Sequence, residues 1–224
     1  MGETPERVIT AGAPGVFNAL NIPLMPAQAL SDSLDGFPLG SSFLVVTLHA
    51  ATLAEGNPLE IQENMLASLS RLLPDTRLII TYPNCDVDPA PLIDSLRRFE
   101  SGHSDCVKVV PSLGRLRYLS AVALSDGVVG NSSSALVEVP SLGVPSLDIG
   151  TRQKGRECGP SVIHCGVSSS DISAGLSRIL SSEMRHIAAQ RVNPYFTPGT
   201  PYLIADTILS SGLRKFPSKS FHLI

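Results

Sequence analysis

Six short apolar runs, most of them separated by stretches of helical spacing, limit this chain more than any other feature. Phe43-Leu44-Val45-Val46-Thr47-Leu48-His49 is hydrophobic without alternation, as expected of a strand buried on both faces. Asn57 then precedes Pro58, with Glu60 three residues after the cap position, a helix start. Ile61, Met65, Leu66, Leu69, Leu72 and Leu73 give that helix its apolar stripe, and Pro74 stops it. Leu78-Ile79-Ile80-Thr81, Val107-Lys108-Val109-Val110, Asp126-Gly127-Val128-Val129-Gly130, Ser146-Leu147-Asp148-Ile149 and Ser161-Val162-Ile163-His164 read as further strands. Helices are expected near 89–99, over 114–124 and 132–139, where Pro140 ends the last of these, and then near 170–182 and 201–213. This alternation predicts a Rossmann-like α/β fold: a parallel sheet between two layers of helices.

In such a sheet the ligand lies beyond the carboxyl ends of the strands. His49 and Thr52 follow the first strand, and Tyr82, Pro83 and Asn84 the second. Pro111, Ser112 and Gly114 follow the third, Asn131 to Ser134 the fourth, and Gly150-Thr151-Arg152-Gln153 the fifth. One edge therefore collects a His, an Arg, an Asn and a run of serines. The run Gly130-Asn131-Ser132-Ser133-Ser134 is the most telling. A helix beginning there offers unpaired N–H groups, a positive dipole end and hydroxyl donors, which suit a diphosphate. Glu138 is seven residues after Asn131, about two turns along the same face, where it can accept from a ribose diol. A plain N-cap role for Asn131 or Ser132 stays open beside this, as does pairing of Arg152 with Asp148 or Glu157.

Other classes are disfavoured. The net charge of -3 shows no basic excess for nucleic acid or an anionic membrane surface. No apolar run reaches the ~20 residues of a membrane span, and the N-terminus has no signal pattern. Cys85, Cys106, Cys158 and Cys165 form no Cys-x-x-Cys pair, which argues against metal ligation or a disulfide framework and for reduced thiols in a cytosol. No Gly-x-Gly-x-x-Gly follows the first strand, and there is no Gly-Lys-Ser/Thr, so NAD and P-loop binding are disfavoured. Ser133 lacks the elbow of a hydrolase nucleophile. His103, His164, His186 and His222 fit no motif.

The ordered set resembles a known family. Val46-Thr47-Leu48-His49, Thr81-Tyr82-Pro83-Asn84, Pro111-Ser112-Leu113-Gly114, Gly130-Asn131-Ser132-Ser133-Ser134, Glu138 and Gly150-Thr151-Arg152-Gln153-Lys154-Gly155-Arg156 occur in sequence. Together they are similar to the C-terminal domain of UDP-N-acetylglucosamine 2-epimerases. The Asn-Ser-Ser-Ser and Gly-Thr-Arg-Gln runs resemble the hydrolysing, sialic-acid-pathway branch. The resemblance covers roughly residues 7–215, and Arg7 to Gly15 resembles the link out of the family's first domain.

That resemblance implies the second half of a glycosyltransferase-B fold. Residues 1–40 are then expected to be linker and the last part of an N-terminal domain, 41–215 the UDP-binding domain and 216–224 a tail. It implies UDP and UDP-N-acetylglucosamine as ligands, no cofactor or metal, a cytosolic protein, and a homo-oligomer for full-length relatives. His49 is the expected catalytic donor or acid. Asn84, Ser132, Ser133, Glu138 and Arg152 are the expected binding residues. The family's proton-moving carboxylates lie in its first domain and have no counterpart here, so the half is expected to bind without turnover. A nucleotide-sugar-binding module, or the donor half of a glycosyltransferase-B enzyme working with a separate partner, stays open as the alternative.

Overall fold

A computed structural model describes residues 8–50, 56–84 and 88–210. Thr52, Cys85, His222, the expected end of the last helix beyond residue 210 and the expected tail lie outside the described residues. Within them, β1 (Phe43–Thr47), β2 (Arg77–Thr81), β3 (Val107–Val110), β4 (Gly127–Gly130), β5 (Ser146–Ile149) and β6 (Val162–Cys165) form one sheet in the order β3-β2-β1-β4-β5-β6. Every pairing is parallel.

The two faces of β1 explain its unbroken hydrophobicity. Leu44, Val46 and Leu48 pack with Met65, Leu66 and Leu69 of α3 (Pro58–Leu69), Leu96 of α4 (Ala90–Gly102), Ile172, Leu176 and Ile179 of α7 (Ser169–Ile179) and Met184 of α8 (Ser182–Ala189). Phe43 and Val45 point the other way. They meet Ala121 and Val122 of α5 (Gly114–Leu124), Ala135 and Leu136 of α6 (Ser134–Val137) and Leu30 of α2 (Ala27–Asp32). Side chains on a strand alternate faces, so each strand here needs apolar residues at consecutive positions. Asn57 caps α3 as expected, its side chain accepting from the Leu59 amide at 3.0 Å.

Several boundaries differ from the sequence expectation. The chain before β1 carries α1 (Pro14–Asn21) and α2, and Leu30, Leu34, Phe37 and Leu39 join the second core. Those two helices are too short to show a full periodic pattern. The helix expected near 170–182 ends at Ile179, and a further, unexpected helix, α8, follows it, capped by the Ser181 side chain, which accepts from Met184 N–H. A last helix, α9, spans Thr200–Ser210. The helix expected over 132–139 is a single turn, Ser134–Val137, followed by a 3-10 turn at Val139–Leu142 that contains Pro140. Proline tolerates the first turn of a helix, so Pro140 opens the tighter turn instead of ending the wider one.

Gly130 is required where it stands. Its φ is +140°, and a Cβ there would strike the carbonyl oxygen of Thr47 on β1. The close approach lets Asn131 N–H reach that same Thr47 carbonyl at 3.2 Å. Gly130→Ala should therefore destabilise the fold by at least about 2 kcal/mol. Urea unfolding of both proteins measures it, and an unchanged midpoint would contradict the packing described.

Candidate functional site

The sheet's connections diverge between β1 and β4: β1 leads outward to β2 and β3, β4 outward to β5 and β6. Open α/β sheets bind ligands at such a switch point. His49 follows β1 and Asn131 follows β4, and the two are tied together. The His49 N–H donates to Asn131 Oδ1 at 2.7 Å, and Asn131 Nδ2 donates to the His49 carbonyl at 2.9 Å. Asn131 is 5% exposed, so its amide is spent on holding the crevice and not on capping a helix. Its own carbonyl accepts from Gln153 Nε2 at 2.7 Å and Arg152 Nη1 at 3.1 Å. One asparagine thus joins β1, β4 and the loop after β5.

The His49 ring is oriented from the other side. The Asn84 N–H, at the end of β2, donates to His49 Nδ1 at 3.1 Å. A backbone amide can only donate, so Nδ1 is the accepting nitrogen and the neutral ring carries its proton on Nε2. Asn84 contributes through its backbone here.

Two hollows meet at His49. The wider, with about 700 Å³ of open space, is bordered by Thr47, Thr81, Tyr82, the Pro111–Arg115 turn, Tyr118, Ser132 and Ser134. The other, about 500 Å³, is bordered by Pro58, Ile61, Gln62, Leu92, Asn131, the Ile149–Arg152 turn and Val167. Thr47 and Thr81 close the floor of the first with a buried hydroxyl pair at 2.7 Å. The expected residues therefore divide. His49, Ser132 and Arg152 border the hollows, Ser133 does not, and Asn84 touches them through His49. Arg152 is exposed and forms no ion pair among the described residues, where Asp148 pairs instead with His164.

Two corrections concern the serine run. Ser133, not Asn131 or Ser132, takes the N-cap position of α6, without a side-chain cap bond. Glu138 falls at the end of a one-turn helix and not two turns along it. A four-residue helix has little macrodipole, so any anion here would be held by individual N–H and O–H groups. The first intrahelical donor is Ala135, to Ser132 O at 3.1 Å; the amides of 132–134 precede it. Glu138 borders neither hollow. Its Oε1 lies against Gly15 near the start of α1, at a distance that leaves no room for a Cβ.

Sequence reasoning missed Tyr118 and Arg115, and took Ser134 only as one member of the serine run. The Tyr118 and Ser134 hydroxyls are shut from solvent and interact only loosely with each other, neither making a well-formed hydrogen bond among the described residues. Burial pushes the Tyr118 phenol up to about 12; the neighbouring Ser134 opposes this and the Glu138 charge adds to it. Poorly satisfied buried hydroxyls are costly, and both of these border the wider hollow. A signal was available: Tyr118 is four residues beyond Gly114, hence one turn along the helix that leaves the Pro111–Gly114 motif.

A family model described as UDP-N-acetylglucosamine 2-epimerase matches residues 1–209. The chain belongs to the UDP-N-acetylglucosamine 2-epimerase family. It is 31% identical over 196 residues to the polysialic acid biosynthesis protein P7 of Escherichia coli, covering 88% of this chain and 49% of that protein. It is 26% identical over 185 residues to the GDP/UDP-N,N'-diacetylbacillosamine 2-epimerase (hydrolyzing) of Campylobacter jejuni, covering 83% and 47%. The chain thus spans about half the length of these curated relatives. The S. aureus MnaA–UDP co-structure shares the fold at 15% identity, with a TM-score of 0.71 over 99% of this chain and 58% of that one. Among the described residues of this family member no helix is long and apolar enough to cross a membrane.

The Asn131 bridge yields a direct expectation. Asn131→Asp keeps the shape but replaces the Nδ2 donor with a second acceptor facing the His49 carbonyl. A lost buried partner costs about 1–3 kcal/mol, so the unfolding midpoint in urea should fall accordingly. Equal midpoints would show that the Nδ2 bond to the His49 carbonyl contributes nothing to stability.

Proposed function

We propose that this chain is the UDP-binding half of a hydrolysing 2-epimerase that converts UDP-N-acetylglucosamine and water to N-acetylmannosamine and UDP. The observation that supports this most is the joining of His49, Asn131 and Arg152 at the switch point of a member of this family. The names of the P7 and Campylobacter relatives favour the hydrolysing branch. In this reading the C1–O bond to the diphosphate breaks as the C2 proton is lost, leaving an unsaturated sugar. Water then adds across it with inversion at C2.

Charge grows on the diphosphate as that bond breaks, and donors already in place stabilise it at little reorganisation cost. Ser132 and Ser133 meet the diphosphate through amide and hydroxyl groups, and Arg152 adds a planar cation. His49 donates Nε2–H to a phosphate oxygen or acts as the acid at the leaving group. Asn84 lies beside the sugar, behind the ring it orients. Tyr118 and Ser134, on the wall of the wider hollow, turn their poorly satisfied hydroxyls to the nucleoside. The groups that move the C2 proton belong to the half of the relatives that this chain does not span.

Calorimetry with UDP and a coupled assay for N-acetylmannosamine test the reading. The 224-residue chain should bind UDP, weakly because one wall of the cleft is missing, and should not turn over UDP-N-acetylglucosamine. Failure to bind UDP, or turnover matching a full-length relative, would overturn it.

Glu138 receives the ribose hydroxyls in this proposal, from its place between Gly15 and Tyr118. A second expectation follows from the absent Cβ. Gly15→Ala should fold at least as well, since Ala is favoured over Gly in a helix by roughly 0.5–1 kcal/mol, yet it displaces the Glu138 carboxylate. UDP affinity should then drop about tenfold, as it should in Glu138→Gln, because a charged hydrogen bond contributes about 1.5–3 kcal/mol. Titrations giving equal dissociation constants for all three proteins would remove Glu138 from the site.

A further inference from the structure

Away from the switch point, three side chains on β5, β6 and the loop between them form a relay. Asp148 and His164 are register partners on the adjacent strands β5 and β6. His164 Nδ1 lies 2.8 Å from Asp148 Oδ2, and His164 Nε2 lies 3.4 Å from the Sγ of Cys158. The Asp148 side chain is 1% exposed while that of His164 is 46% exposed. Asp148 Oδ1 is buried without a partner among the described residues. The carboxylate thus has one neighbour to serve, the imidazole, and fixes its Nδ1–H. Nε2 is then the bare nitrogen, turned to the thiol.

We propose that Cys158 is a base-assisted reactive thiol, a modification site for small disulfides and other soft electrophiles, with His164 as its base and Asp148 as the group that orients the base. With a disulfide, Cys158 Sγ attacks one sulfur while its proton passes to His164 Nε2. The new S–S bond forms as the old one breaks, and the departing thiolate takes the proton back from His164. Electrons and atoms balance without any further oxidant.

The remaining surroundings agree with a thiol that depends on its base. Burial, then the Asp148 charge, push the Cys158 thiol above its ordinary range, so the resting sulfur is protonated. Thiolate, not thiol, is the nucleophile, and a neighbouring imidazole supplies it at the moment of reaction. Burial likewise raises Asp148, with His164 and then Arg152 opposing. The charged residues on the loop itself, Arg152, Lys154, Arg156 and Glu157, are exposed. Cys165 belongs to the opposite core, and burial together with Asp171 and Asp148 pushes its thiol up to about 12. Cys106 is buried. Among the described residues neither has an imidazole hydrogen bond, so both serve as internal references. No group of three or more such side chains among the described residues is arranged to hold a metal, which sets this relay apart from a ligand cluster.

The test is labelling of the whole chain with dithiodipyridine and with iodoacetamide, read cysteine by cysteine by peptide mass mapping. Cys158 should react at least about tenfold faster than Cys106 and Cys165, since a positioned base contributes about 10²–10⁴-fold. Its rate should already be high at neutral pH, where an unassisted thiol is slow. His164→Gln should slow Cys158 by tenfold or more and leave Cys106 and Cys165 unchanged, the latter also reporting that the variant is folded. The wild-type profile decides independently of the variant. A Cys158 rate that rises only above pH 9, as for an unassisted thiol, or equal rates in wild type and a folded His164→Gln, would overturn the proposal.

Discussion

The paired hydrogen bonds between Asn131 and the His49 backbone hold the rest of the site in place. A parallel sheet leaves its strand ends pointing outward with no partner strand to finish the ladder. At the switch point two such ends lie side by side, and their chains then turn to opposite layers. Something must satisfy the exposed amide and carbonyl of β1 without filling the crevice. A carboxamide does this, having one acceptor and one donor set at the spacing of a peptide group. Aspartate offers no donor, and serine is too short to serve both. Because Asn131 also carries the carbonyl that collects Gln153 and Arg152, the cationic loop is hung from the same residue.

The fold was legible because its physics is local and repetitive. Strands flanked by helices on both faces must be hydrophobic at successive positions, and Phe43 to Val46 show this directly. The collection of polar residues at one edge follows from that alternation; the strand order does not, since alternating strands and helices fit more than one order. Short elements were not legible. The one-turn helix after Ser133 and the 3-10 turn through Pro140 have too few residues for a period, and tertiary packing decides between the two helix types. The start of α8 hid behind Ser181, which caps it only two residues after α7 ends at Ile179, too close for spacing to separate the two helices.

The candidate site was legible in part, for a related reason. His49, Ser132 and Arg152 announce themselves as polar groups at strand ends. Asn131 stood in the same motif, but its use as a clamp depends on β1 and β4 being neighbours across 82 residues of sequence. Tyr118 lay within a helix and belonged to no motif; only the burial of its poorly satisfied hydroxyl marks it. The contact between Glu138 and Gly15 joins residues far apart in the chain and depends on an atom that glycine lacks. His164 offered no motif at all, since its meaning comes from Asp148 across the strand and Cys158 at the end of a loop.

His49 is a wall common to two hollows. Its backbone is clamped by Asn131 and its ring by Asn84, so it has little freedom to yield to one side without being felt on the other. A molecule that settles in either hollow and shifts that ring alters the shape offered to a guest in its neighbour. Linkage makes any such influence mutual: the factor by which the first guest changes the second's affinity equals the factor returned. The two spaces thus share one wall, and a guest in either touches a residue that the other also borders.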